Sequence, residues 1–478
     1  MSTPTTNAIE SPRIDTKLLS YYLWAGAGLA AVAVVYALFN LPARYLYLAV
    51  AAPIAFIVVT NPRLALYQFV FMIFLEYPVV PSVPLFLIDF SMVLVILAGC
   101  LDLFLRGNWP SQSPRLSCNY AYLVVAVIVT GLFGYWPEIM PRRAISTFSL
   151  LLTFVAVYRL TSRVSVGSLV RLFVGLAALH AAIVLVPFVA SGGTCRSFGF
   201  YGVLFDDQAM VALPLAVGLF LTARKRPAGL WLLAILMVMG GLLATQSRAP
   251  IAMGLAATAV MIWMVISNRR RAGSDRHEYR SAARRIRFLA LGGLAGVGLV
   301  ILVLPEFFAT LGERFGMLLS SDAQGTTVYR LALWERAITT FLDYPVFGIG
   351  PGGYYRLADV YATFHITPNY DYLRTLGAHN VLLHYLADTG LVGGLGLVAL
   401  VVNQYGLGRS CWRRVGLTVD GVTLSLLGWV VLFAISTLVE GNWMWGQLSF
   451  LAVFFAALVA RQYRQTVEST TAQAGQKS

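Results

Sequence analysis

The sequence predicts an all-α, polytopic membrane protein with roughly 12–14 transmembrane spans and one long extracytoplasmic loop that contains short helices. Of its 478 residues, 58% are hydrophobic and 12% are charged, whereas a soluble domain has about 25% charged residues. The mean hydropathy is +0.74, and apolar stretches of about 20 residues, the length that crosses a bilayer, recur along the chain. This small number of polar side chains could not cover the surface of a water-soluble protein of this size. We therefore expect the outer surface to face lipid.

The candidate spans follow one another closely up to residue 304 and resume at residue 379. They cover residues 20–39, 45–60, 64–80, 85–105, 118–136, 145–160, 168–190, 207–223, 229–246, 250–267, 288–304, 379–404, 421–438 and 445–460. The segments 45–60 and 145–160 are short for a bilayer, and 64–80 carries Glu76 and ends among prolines. Twelve spans are therefore almost as well supported as fourteen.

The basic residues indicate the orientation of these spans. The formal net charge is +14, and lysine and arginine in short loops stay on the cytoplasmic side. Alternation from a cytoplasmic N-terminus puts most of them inside, together with both chain ends, so the charge indicates membrane topology rather than nucleic-acid binding. The predicted regions are a cytoplasmic tail (1–19), a membrane domain (20–464) with a basic cytoplasmic loop (268–287) and an extracytoplasmic loop (305–378), and a disordered cytoplasmic tail (465–478).

The extracytoplasmic loop holds most of the residues that could carry chemistry. Its glycine-rich turn, 348–353, would let backbone approach a ligand closely, because glycine lacks a Cβ atom. Its last residues, His379 and Asn380, stand where a helix begins, and the partial positive charge of a helix N-terminus favours a neutral imidazole that accepts a proton. Arg330 and Arg336 are six residues apart on a helix-like stretch, so we expect only one of them to enter a site.

Two further arginines fall on the predicted outer side. Arg248 follows Thr245-Gln246-Ser247 between two spans, and Arg196 follows Cys195. Arginine is unusual at this face, and its guanidinium binds phosphate through two parallel hydrogen bonds. A helix-end arginine that reaches to the membrane surface is the alternative for Arg248.

These motifs resemble the O-antigen ligase and polymerase family of bacterial membrane glycosyltransferases over roughly residues 190–400. The resemblance rests on Arg330-x3-Trp334, Pro345-x2-Gly348-x-Gly350-x-Gly352, His379-Asn380, Asp388-x-Gly390, Ser247-Arg248 and Arg196-x2-Gly199. It implies transfer of an undecaprenyl-pyrophosphate-linked glycan to a hydroxyl on another glycan or on lipid A core, at the outer face of the inner membrane. It implies no metal and no cofactor, with polymerase and ligase chemistry both open.

The resemblance also implies roles for individual residues. We expect Arg248 and Arg330 to bind the pyrophosphate and His379 to position or deprotonate the acceptor hydroxyl. The substrate-binding residues expected beside them are Arg196, Trp334, Gly350, Gly352, Tyr354 and Asn380. The alternative function is a transporter or a lipid-linked oligosaccharide flippase, in which intramembrane groups such as His180, Asp89 and Asp102 would matter more.

Overall fold

Long apolar helices follow one another through the chain, as the composition predicts. The computed structural model of the protein describes residues 43–75, 78–80, 83–106, 115–193, 197, 205–223, 225–271, 276–303, 326–359, 377–415, 420–439 and 448–475. The helices are α1 (Ala43–Thr60), α2 (Pro62–Met72), α3 (Leu87–Arg106), α4 (Arg115–Leu132), α5 (Met140–Leu160), α6 (Val166–Ala190), α7 (Phe205–Thr222), α8 (Lys225–Ala244), α9 (Arg248–Arg271), α10 (Arg276–Val303), α11 (Thr326–Asp343), α12 (Val381–Val415), α13 (Gly421–Val439) and α14 (Leu448–Gly475).

Little other regular structure occurs in these residues. Strands β1 (Pro78–Val80) and β2 (Val83–Phe86) form a short antiparallel hairpin between α2 and α3. Two 3-10 helices, Pro137–Ile139 and Gly353–Asp359, lie in connections. The predicted all-α class is confirmed, and the predicted extracytoplasmic loop contains α11 and the second of these 3-10 helices.

Nine helices within the described residues, α3 to α9, α12 and α13, are long and apolar enough to cross a membrane, and ten spans result if α1 and α2 count as one bent span. The predicted span 20–39 lies outside the described residues. The predicted spans 288–304 and 445–460 coincide largely with α10 and α14, which are helical but do not belong to the nine. The total of 12–14 spans therefore stays a prediction.

The predicted pair of spans 45–60 and 64–80 is wrong in its second half. The chain bends by 118° between α1 and α2, and α2 ends at Met72. Asn61 causes the new start, because its side-chain Oδ1 accepts hydrogen bonds from the backbone N–H groups of Arg63 and Leu64 at 3.1 and 3.3 Å, a typical helix N-cap. Pro78 and Pro84 then lie in β1 and β2 instead of in a helix.

Two predicted polar segments are also more helical than expected. The basic loop 268–287 consists largely of the end of α9 and the start of α10, and arginine is a good helix former. Arg285 is used structurally, since its guanidinium donates to the carbonyls of Phe220 and Leu221 at the end of α7. The tail predicted to be disordered from residue 465 instead continues α14 to Gly475.

The centre of the bundle is formed by α7 and α13, which are buried along most of their length. They pack against each other, and α7 also packs against α8 and α9. The two backbones approach closely at Gly218, where an added Cβ atom would come 2.6 Å from the backbone nitrogen of Ser425. Small residues permit this kind of close helix contact in membranes. His180 of α6 is likewise a packed residue, with Nδ1 3.0 Å from Gln208 Oε1.

We expect Gly218→Val to destabilise the protein, because the new side chain must push α13 away from α7. Overpacking of this kind costs about 1–3 kcal/mol. The measurement is the thermal unfolding midpoint in detergent, with Gly175→Val in α6 as the control, since a Cβ atom at Gly175 meets nothing within 4 Å. Equal midpoints for the two variants would contradict the proposed close contact.

Candidate active site

Helix α12 is interrupted at Gly390, whose φ of +58° lies in the left-handed region. The carbonyls of Ala387 and Asp388 therefore do not accept from within the helix. They accept hydrogen bonds from the N–H groups of Ile349 and Gly350, at 3.0 and 2.9 Å. In exchange, Leu391 and Val392 donate to the carbonyls of Pro345 and Val346, at 2.8 and 3.2 Å. We call residues 344–354 the glycine loop, and its backbone replaces one turn of hydrogen bonds in α12.

The glycines of this loop are required by contact with α12. Gly348 has φ +65°, and an added Cβ atom would come 2.5 Å from the backbone of Asp388 and Thr389. An added Cβ at Gly390 would overlap the carbonyl group of Val346. The predicted close approach of backbone is thus present at Gly348, but the partner is the chain itself rather than a ligand.

The carboxylate of Asp388 holds the second half of the glycine loop. It is fully buried, and its two oxygens accept hydrogen bonds from the N–H groups of Gly352 and Tyr354 at 2.7 and 2.8 Å. Hydrogen bonds to an ionised group are about twice as strong as neutral ones. Asp388 therefore fixes the positions of two residues predicted to bind substrate.

His384, one helical turn before Asp388, extends this network to the segment before α12. Its Nε2 lies 3.4 Å from Asp388 Oδ2, and its Nδ1 accepts a hydrogen bond from the N–H of Ala378 at 3.4 Å. An Nδ1 that accepts leaves the ring proton on Nε2, which lies close to the carboxylate but makes no hydrogen bond within the described residues. The buried imidazole thereby connects Asp388 to the residue next to His379.

His379 itself has an unusual backbone. It stands two residues before α12 and has φ +47°, which is uncommon for a residue with a side chain and is often found at functional sites. Asn380 caps the helix, since its Oδ1 accepts from the N–H of Leu383 at 3.0 Å. The predicted placement of His379 at the start of a helix agrees with the structure, and its half-buried side chain belongs to the end of α12 that the glycine loop covers.

Arg336, rather than Arg330, packs against the glycine loop. Its Nη2 donates to the carbonyl of Tyr354 at 2.7 Å, and its guanidinium lies 4.8 Å from the centre of the Tyr354 ring. The Tyr354 hydroxyl donates to the carbonyl of Leu333, also on α11, at 2.7 Å. Burial raises the pKa of the Tyr354 phenol, and the charge of Arg336 opposes that shift. Arg330 and Trp334 lie half-buried on the same helix, which packs against α12.

The connection between α4 and α5 forms the other wall of the cluster. Tyr135 donates its backbone N–H to the carbonyl of Ile349 at 2.9 Å, and its hydroxyl lies 2.8 Å from that of Tyr344. Arg143 of α5 lies over the loop, because a Cβ atom at Gly352 would come 2.7 Å from Arg143 Nε. Burial and the Asp388 charge raise the pKa of Tyr355, and Arg143 lowers it, so an arginine and a buried carboxylate both act on this phenol.

Arg248 occupies a separate turn. It is the half-buried first residue of α9, and α9 packs against α7 and α13. The preceding Gln246 has φ +52°, and its side-chain amide nitrogen lies 3.4 Å from the carbonyl of Gly193. Within the described residues, Gln246 and His379 are the two residues other than glycine that have positive φ. His379 is itself a predicted catalytic residue, and Gln246 is two residues before another, Arg248. Arg196 lies outside the described residues.

The structure thus brings together five of the predicted residues, Gly350, Gly352, Tyr354, His379 and Asn380. It also adds three residues to which the sequence analysis gave no role in the site, namely Asp388, His384 and Arg143, and Arg336, which that analysis left as the alternative to Arg330. The four-residue spacing of His384 and Asp388 places them on one helix face, and this was the available signal. A role for Arg143 had no signal in the sequence, because it depends on how α5 meets the glycine loop.

Comparison with known proteins supports the same region. Residues 232–398 match the sequence model of the O-antigen ligase family, and this segment contains Arg248, α11, the glycine loop and the start of α12 through Gly390. The resemblance predicted from the motifs is confirmed over this part of the chain. No curated protein matches the chain.

We expect Asp388→Asn to loosen the glycine loop. An amide offers one oxygen where the carboxylate offers two, so the N–H of Gly352 or Tyr354 loses its acceptor. The expected cost is about 2 kcal/mol, or roughly 30-fold less protection of these two amides. Hydrogen exchange read by mass spectrometry measures it, with Glu335→Gln on the exposed side of α11 as the control. Unchanged protection in the Asp388 variant would show that the carboxylate does not hold the loop.

We expect Gly390→Ala to destabilise the protein by about 2 kcal/mol or more, because alanine is strained at positive φ and its Cβ meets Val346. The matched control is Gly406→Ala in the same helix, where a Cβ atom meets nothing within 4 Å. Thermal unfolding in detergent compares the two. An alanine tolerated equally at both positions would mean that the interruption of α12 does not need a left-handed residue.

Proposed function

We propose that this protein, whose residues 232–398 match the sequence model of the O-antigen ligase family, transfers a glycan from undecaprenyl pyrophosphate to an acceptor hydroxyl at the outer face of the bacterial cytoplasmic membrane. The acceptor is a second glycan or lipid A core, as in surface polysaccharide or exopolysaccharide assembly. The observation that carries the proposal is the position of His379 inside the matched segment. There, His379 combines a left-handed backbone with a half-buried imidazole, and its neighbour Ala378 packs in one cluster with Ile349 and Tyr354 of the glycine loop.

In the proposed step, the acceptor oxygen attacks the anomeric carbon of the glycan. The bond from that carbon to the pyrophosphate oxygen breaks, and undecaprenyl pyrophosphate leaves with the bonding electrons. His379 takes the proton of the acceptor hydroxyl as general base, a contribution of about 10²–10⁴-fold in rate.

The leaving pyrophosphate gathers negative charge, which arginines stabilise well because their charge does not titrate near neutral pH. We assign this role to Arg248 and Arg330 and propose that no metal ion is needed. Arg248 is placed favourably, because the first residue of a helix lies beside backbone N–H groups that also attract phosphate oxygens. Arg336 is a positioning residue in this scheme, since its guanidinium is directed at Tyr354.

The distribution of arginines supports the assignment of the site to the outer face. The chain crosses from the α4–α5 connection beside the glycine loop to the far end of α5, where Arg159 and Arg163 lie. Arg106 and Arg464 belong to that same far end. Because basic residues concentrate on the cytoplasmic side, we propose that the glycine loop faces away from the cytoplasm.

We expect His379→Ala to lower transfer by about 10²–10⁴-fold, and Arg248→Ala by about 10²–10³-fold. The assay uses purified protein in proteoliposomes with a lipid-linked glycan donor and an acceptor glycan, at equal protein abundance. Arg356→Ala is the charge-matched control, because Arg356 is an exposed arginine near the same loop, paired with Glu138.

Each outcome bears on a different part of the proposal. Full transfer by His379→Ala would remove that residue from the mechanism. Movement of the lipid-linked glycan or a solute across the bilayer without transfer would instead support the transporter or flippase.

A further inference from the structure

A second polar cluster lies at the opposite end of the bundle from the glycine loop. It is formed by the last residues of α3, the last residues of α5 and the middle of α14. Helix α5 begins beside the glycine loop at Met140 and ends at Leu160, so the two clusters are about 30 Å apart along this helix. The proposed transfer reaction does not use any residue of this second cluster.

Asp102 is the anionic centre of the cluster and is buried. Arg159 donates to it twice, from Nε to Oδ2 at 2.7 Å and from Nη2 to the backbone carbonyl at 2.9 Å. Arg106 Nε lies 3.0 Å, and Arg163 Nε 3.9 Å, from Oδ1 of the same carboxylate. One carboxylate therefore faces three guanidinium groups and can neutralise only one of them.

Helix α14 adds two more arginines. Arg464 pairs with Glu468 at 2.7 Å and lies 3.5 Å from the Tyr158 hydroxyl. Arg461 has a buried Nε with no hydrogen-bond partner in the described part of the chain. A buried, charged donor without an acceptor is costly, and an acceptor supplied by a ligand would relieve that cost.

These side chains enclose a cavity of about 200 Å³. The charged residues that line it are Asp102, Arg106, Arg159, Arg163, Arg461 and Arg464. Even with Glu468 included, five guanidinium groups face two carboxylates. This excess of positive charge, in a partly enclosed cavity, favours an anion with several acceptor oxygens.

A second cavity of about 490 Å³ adjoins the first and shares Tyr158 and Arg464 with it. Leu407 of α12 and Ala460 and Val467 of α14 give it apolar walls. Arg115, Asn403, Ser410 and Tyr463 contribute polar groups. A cationic cavity joined to a larger, partly apolar one matches a ligand with a phosphate at one end and a hydrocarbon chain at the other.

We propose that these two cavities bind an anionic phospholipid of the leaflet at this face. Its phosphodiester occupies the arginine cavity, with oxygens directed at Arg461 and Arg163, and its glycerol and the start of an acyl chain occupy the adjoining cavity. Basic pockets between transmembrane helices on the cytoplasmic side commonly bind acidic headgroups. The lipid would connect the turn after α5 with α14, because Arg163 and Arg461 would contact the same phosphate.

The test compares the full-length wild-type protein with Arg163→Gln/Arg461→Gln and with Arg409→Gln/Arg413→Gln. The control pair removes the same charge from exposed positions near the end of α12. Each protein is titrated in detergent with phosphatidylglycerol, phosphatidylcholine or inorganic phosphate, and the thermal unfolding midpoint is measured. Each arginine near an anionic lipid contributes about a fivefold affinity gain, so we expect about 25-fold weaker phosphatidylglycerol binding in the cavity variant alone.

The three titrations distinguish an anionic phospholipid from free phosphate as the ligand of the cavity. Stabilisation of wild type and control by phosphatidylglycerol, with little effect of phosphatidylcholine or phosphate, supports the proposal. Equal stabilisation by inorganic phosphate would show a free-phosphate site and overturn the lipid assignment. Unchanged phosphatidylglycerol binding by the cavity variant would overturn the site. Should that variant fail to fold, native mass spectrometry of the wild type decides, since the proposal requires a retained phosphatidylglycerol adduct that phosphatidylcholine does not displace.

Discussion

The interruption of α12 at Gly390 is the constraint on which the candidate site depends. A continuous helix would satisfy the carbonyls of Ala387 and Asp388 internally and leave the N–H groups of Ile349 and Gly350 without these acceptors. With the interruption, the loop and the helix exchange four backbone hydrogen bonds, so neither reaches its geometry without the other. The Asp388 carboxylate then adds two more hydrogen bonds to the loop from the same turn of helix. The position of the loop is thereby set by backbone pairing rather than by side-chain packing alone.

Other parts of the bundle converge on this one loop. Helix α11 reaches it through Arg336, which donates to the carbonyl of Tyr354, and the α4–α5 connection reaches it through Tyr135. His384 links the same carboxylate to the residue before His379. A buried polar network is stabilising where its members are partnered, as both carboxylate oxygens of Asp388 are. Such a support explains how the backbone of His379 can be held in the left-handed region, which costs about 1–3 kcal/mol for a residue with a side chain.

The features that sequence analysis predicted correctly are local ones. Membrane-length helices follow from runs of apolar residues, and the position of His379 before a helix follows from its neighbours. The errors arose where an interaction with a neighbouring element or a local cap decides the structure. Asn61 redirects the chain at a point that hydropathy does not mark, and the arginines of 268–287 prolong helices. The carboxylate of Asp388 accepts hydrogen bonds from Tyr354 and Gly352, 34 and 36 positions earlier in the chain. Hydrophobic periodicity does not predict contacts between residues so far apart in the sequence.

The two ends of the bundle differ in the groups that partner their buried carboxylates. At the glycine loop, one buried carboxylate is matched by backbone N–H groups, so it needs no countercharge beyond the nearby arginines of α5 and α11. At the far end, Asp102 is matched by guanidinium groups instead, and more of them gather than one carboxylate can neutralise. Positive charge in excess is expensive to bury unless an anion joins it. We therefore propose two roles for the net charge of +14, which are to orient the chain in the membrane and to give one face an affinity for phosphate.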